Sequence, residues 1–98
     1  MVDWFTIKKN NKKSELIERI NSVINQIELE RKNSLWSTEQ LDTVREEFTE
    51  LKKMIENDDF KFKKKHIMLE STYIITDSIK ELNLTVLGKQ ILLFQELL

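Results

Sequence analysis

His66 and Glu70 stand one helical turn apart, and Asp77 and Glu81 repeat that spacing, so a helix through this region would carry an imidazole and three carboxylates. Such groups are the raw material of a metal site or of acid–base chemistry. A metal site needs more ligands held together than either pair supplies, and the Glu-x-x-His pair of di-iron bundles is missing. The chain has a single histidine and no cysteine, which removes thiolate–metal chemistry, disulfides and a cysteine nucleophile. None of Ser14, Ser22, Ser34, Ser37, Ser71 and Ser78 lies in a G-x-S-x-G turn. The lone glycine, Gly88, cannot build a phosphate loop or a dinucleotide fingerprint, each of which needs several glycines. Ordinary surface side chains account for all four titratable residues, and 98 residues leave little room for a catalytic pocket. The sequence therefore predicts a non-enzymatic protein without metal or cofactor.

Charge and aromaticity are the remaining chemical resources. Residues 1–13 carry four lysines against one aspartate, residues 14–59 six basic against twelve acidic side chains, and residues 60–66 four lysines with no acid. The total is only −1, so the charge is segregated and not in excess. Lys61, Lys63, Lys64 and Lys65, with His66 beside them, form a compact cationic run, while Glu46, Glu47 and Glu50 form an acidic one. Trp4 and Phe5 are the aromatic residues nearest the N-terminus, a residue type enriched at interface hot spots. These ten residues are the candidate partner-contacting set. The lysine runs, extended by Lys8, Lys9, Lys12 and Lys13, also admit a phosphate-binding reading, in which nucleic acid or an anionic surface is the ligand. Against it, thirteen of the sixteen basic residues are lysine, and only three are arginine, the better bidentate reader of phosphates and bases.

Helices must position these groups. Proline is absent and glycine nearly so, which argues against a many-stranded sheet with its turns. Residues 14–31 place Ile17, Ile20, Ile24 and Ile27 on one face, widened by Leu16 and Val23, with Ser14 as the expected cap. In "WSTEQL", residues 36–41, Ser37 and Gln40 have capping-box spacing, and Trp36 and Leu41 occupy the two positions of a hydrophobic staple. The helix that follows carries Leu41, Val44, Phe48, Leu51 and Ile55 along one seam. A short link between these segments predicts an antiparallel hairpin. "DDFKFKKKHIML" reads as the start of a third helix, capped by Asp58 or Asp59, closed by Asn83 and facing inward through Met68, Ile75, Ile79 and Leu82, with Ser71 and Thr72 interrupting the stripe. The tail sets Leu87, Ile91, Phe94 and Leu98 at helical spacing and is apolar over most of its circumference, so it must lie centrally or be covered by a second copy.

The expected architecture is all-α, a small antiparallel bundle of four helices near 14–31, 38–57, 59–82 and 85–97. One domain spans 1–98, with 1–13 a loosely ordered N-terminal segment. The alternative has three helices and dimerises through the tail. No segment approaches the ~20 apolar residues of a membrane span and no signal-peptide pattern opens the chain, so the reading is cytoplasmic. The abundance of Lys, Asn and Ile suggests an AT-rich bacterial or phage genome. In length and helix number alone, the chain resembles small bacteriocin-immunity proteins. The functional expectation is stoichiometric contact with a partner protein, as an inhibitor, immunity-type protein or regulatory adaptor. The alternatives are nucleic-acid or anionic-surface binding and a structural homo-oligomer.

Overall fold

Ser37 opens the most sharply defined element. Its hydroxyl accepts from the Gln40 amide at 3.1 Å, and the Gln40 side chain accepts from the Ser37 amide at 2.9 Å, so both halves of the capping box form. With the start set, α2 (Thr38–Glu56) turns Leu41, Val44, Phe48, Leu51 and Ile55 into the core, each burial stabilising by about 2 kcal/mol. The computed structural model describes residues 4–33, 35–57 and 68–97, with side chains described for 13–32, 35–57 and 68–97. Within them the elements are α1 (Trp4–Asn33), α2, α3 (Glu70–Asp77), a 3-10 turn (Leu82–Leu84) and α4 (Val86–Leu97), with no strand among the described residues. The protein is a small all-α bundle.

Helix α1 begins ten residues before the expected start at Ser14, which sits exposed within it. A serine caps a helix only where the preceding backbone leaves helical geometry, and nothing between Trp4 and Ser14 forces it to leave: there is neither glycine nor proline. Leu16, Ile20, Val23 and Ile27 are its fully buried side chains, while Ile17 and Ile24 flank them half-buried. Ile20 and Ile27 are thus buried as expected, while the other two central positions are Leu16 and Val23, each one residue before the expected Ile17 and Ile24. Helices α1 and α2 form the antiparallel hairpin, fastened by Arg45 to Glu28 near one end and by Lys13 donating to the Glu56 carbonyl at 3.3 Å near the other. The backbone of residues 4–12 continues α1 beyond the level of Glu56.

The expected third helix differs most. Its described part runs only from Glu70 to Asp77, and the Asp58/Asp59 start lies outside the described residues. Met68 and Ile79 are exposed, and the inward positions are Leu69, Ser71, Thr72 and Ile75. Ser71 and Thr72, which interrupt the apolar stripe in sequence, are part of the buried face. Asn83 does not close this helix; it lies in the 3-10 turn, which carries Leu82 into the core. Helix α3 packs on both α2 and α4, which have no close backbone contact with each other and meet through the rings of Phe48 and Phe94, 5.1 Å apart.

Helix α4 matches its expected span closely and buries Leu87, Gly88, Ile91 and Phe94 against α1, α3 and the 3-10 turn. Most of its apolar circumference is thus covered within the chain, leaving Val86 and Leu93 exposed. Its start depends on Thr85, whose hydroxyl accepts from the Gly88 amide and from Trp36 Nε1, both at 3.0 Å, and donates to the Leu82 carbonyl at 2.6 Å. Those three bonds use the hydroxyl's one donor and two acceptor sites. Gly88 is required by close approach: a Cβ there would overlap the Leu82 carbonyl oxygen. No helix among the described residues is long and apolar enough to cross a membrane.

Candidate interaction surface

The phase that Ser37 imposes on α2 decides which of its carboxylates reach water. With Val44, Phe48 and Leu51 inward, Glu46 and Glu50 fall on the exposed side and Glu47 is half-buried toward α3. A shallow open depression of about 350 Å³ lies between α2 and α3, lined chiefly by Glu46, Glu47, Glu50, Leu51, Met54 and Glu70. Leu51 is almost fully buried there and Met54 is 37% exposed, so the depression joins an apolar floor to acidic walls.

The three expected acidic contacts play two different parts. Glu47 accepts from the backbone amides of Glu70 at 2.7 Å and Ser71 at 2.8 Å, and from the Ser71 hydroxyl. It caps α3 from another helix, placing negative charge at the positive end of the helix dipole. Gln95 of α4 completes the cap, accepting from the Leu69 amide at 2.8 Å and the Thr72 hydroxyl at 2.9 Å. The Glu47 carboxylate is thereby committed to the fold. Glu46 and Glu50 have no ion-pair partner among the described residues, and neither does Glu70.

On the α1 side of α2, Asp42 and Arg45 are matched across the hairpin. Arg31 meets Asp42 at 2.7 Å and Glu28 at 3.4 Å, and Arg45 meets the same Glu28 at 3.3 Å. The hydrogen bond to Asp42 raises the Arg31 pKa above its ordinary value, partly opposed by desolvation, with the Glu28 hydrogen bond adding a smaller upward contribution. Arg19 is held by Glu15 one turn before it. All three arginines of the chain are thus paired within the α1–α2 hairpin.

The other expected contacts are less accessible to description. Lys61, Lys63, Lys64, Lys65 and His66 lie outside the described residues. Trp4 and Phe5 occupy the first turn of α1, and their side chains are likewise outside the described set, as are those of Lys8, Lys9 and Lys12. Asp77 and Glu81 do not share a helical face, because α3 ends at Asp77 and the chain is extended at Ser78. Among the described residues no three His, Asp or Glu side chains gather as a metal-ligand group. Sequence reasoning did not find Gln95, Thr85 or the capping role of Glu47. Its available clue was Ser71–Thr72: two polar residues in the middle of an otherwise apolar face need buried partners from elsewhere.

No protein-family model matches the chain, and neither a curated protein nor a solved structure matches it.

Proposed function

We propose that this chain is a non-enzymatic binding protein that acts by stoichiometric contact with a partner protein, through the face formed by α2 and the start of α3. The observation that supports this most is the contrast in charge pairing around α2. Glu46, Glu50 and Glu70 border the Leu51–Met54 floor without ion-pair partners among the described residues, while Asp42 and Glu28 on the other side are consumed by arginines. Unpaired carboxylates beside an apolar floor suit a basic protein surface that brings one or two apolar side chains. The acidic field accelerates encounter, and the apolar floor slows dissociation.

The test is capture from the native host with the intact chain and with a Glu46→Lys/Glu50→Lys variant. The expected result is one stoichiometric partner that the charge-reversed variant loses and that high salt weakens. Absence of any stoichiometric partner, or a partner retained equally by the variant, would overturn the reading. The variant substitutes exposed positions of α2 outside its buried seam, so its helical signal and unfolding midpoint should remain close to those of the parent.

A further inference from the structure

Helix α3 is assembled differently from the rest of the bundle. It has eight residues, whereas helices shorter than roughly twelve to fifteen residues are marginal in water without tertiary support. Leu69 at its N-cap position contributes no side-chain acceptor, so the first turn cannot satisfy its own amides. Glu47 and Gln95 satisfy them from two other helices, and they also take the hydroxyl protons of Ser71 and Thr72. Within the helix, Ile75 is the one buried apolar side chain, with Ile74 partly buried beside it, and Leu69 is buried at the N-cap. At the far end Ser78 is extended and Ile79 is fully exposed. Apolar burial at α3 is thus confined to Ile75, part of Ile74 and Leu69 at the N-cap, and the polar attachment is concentrated at that same end.

The neighbouring elements have no comparable dependence on α3. Among the described residues helices α1 and α2 contribute nine buried side chains, and α4 packs on α1 and on the 3-10 turn as well as on α3. Because α2 and α4 have no close backbone contact, the space between them is filled by α3 and bridged by the Phe48–Phe94 ring pair. We propose that α3 is a latched element: Glu47 and Gln95 are its catches, and it undocks as a unit from a frame of α1, α2 and α4 that stays folded, uncovering the Phe48–Phe94 cleft. Opening of this kind is a sub-global transition whose free energy lies below that of global unfolding. The device does not depend on the identity of any partner, so it stands or falls separately from the proposed binding function.

Native-state amide hydrogen exchange on the full chain at low denaturant tests it. The amides of Tyr73, Ile74, Ile75 and Thr76 should exchange at least about tenfold faster than those of Ile20, Phe48 and Ile91, with a weaker denaturant dependence, because less surface is exposed. Glu47→Gln keeps the size of the side chain but turns one capping oxygen into a donor facing the α3 amides. It should accelerate exchange of the four α3 amides by a further factor of about ten while changing Ile20 and Ile91 much less. Gln95→Met should do the same from the opposite side. Two outcomes would overturn the proposal. One is an α3 that shares the rate and denaturant slope of the core amides in the parent protein, a result that needs no variant to fold. The other is selective α3 exchange that neither substitution accelerates.

Discussion

Helix α2 divides the molecule into two regions built by opposite means. On the α1 side, each element carries its own instructions: a capping box starts α2, period-spaced apolar residues close the hairpin, and Arg31 and Arg45 neutralise Asp42 and Glu28 across it. On the α3–α4 side, elements are completed by groups that belong to others. Glu47 and Gln95 cap α3, Trp36 bonds the Thr85 that caps α4, and the Leu82 carbonyl occupies the space that a side chain at Gly88 would need. The first region is locally specified and would tolerate single losses as small increments. The second is specified through contacts, so one substitution there disturbs two elements at once.

Gly88→Ala should break this second region most severely. Alanine in an ordinary helix interior stabilises by about 1 kcal/mol relative to glycine, yet here the added methyl would overlap the Leu82 carbonyl, and the 3-10 turn must move. The expected loss is about 3 kcal/mol, read as a fall in the urea midpoint. A midpoint that rises would show that the turn yields freely and that the close approach is not a constraint.

Thr85→Val comes next. It is close in size but leaves Trp36 Nε1 and the Gly88 amide without their common acceptor. About 2 kcal/mol should be lost, together with a change in tryptophan emission as the Trp36 indole loses its bond to the hydroxyl. Ser37→Ala, on the locally specified side, should cost about 1 kcal/mol. Its effect on exchange should remain within the first turns of α2, and a spread into α4 equal to that of Thr85→Val would erase the distinction between the regions. Asp42→Asn should give the smallest change, because its pair with Arg31 is exposed, and high salt should remove the difference from the parent protein.

The legibility of the sequence follows the same division. The start of α2 is readable because Ser37 and Gln40 stand three positions apart and their reciprocal capping bonds are local. The seam Leu41–Val44–Phe48–Leu51–Ile55 was readable because burial repeats with the helix period. Ser14 misled because a capping residue is informative only when the chain before it leaves the helix, and the lysines and asparagines before it are compatible with continuing. Ser71 and Thr72 misled more deeply. Polar residues on an apolar stripe suggest exposure, yet these are buried because a carboxylate 24 positions earlier and an amide 23 positions later meet their hydroxyls. Of the candidate contacts, the acidic character of α2 was plain in sequence, but the commitment of Glu47 to α3, and the open situation of Glu46 and Glu50, required knowing what lay opposite.

Composition, helix period and local capping were enough by themselves to determine that this chain is helical, where α2 and α4 run, and that it carries no thiol and a single glycine. Those properties depend on residue identity or on interactions within a few positions along the chain. Tertiary structure alone decided which carboxylates became structural, how short α3 is in its described part, and why the single glycine stands at position 88. Each of these depends on the distance between groups far apart in sequence, which is set only when the helices pack.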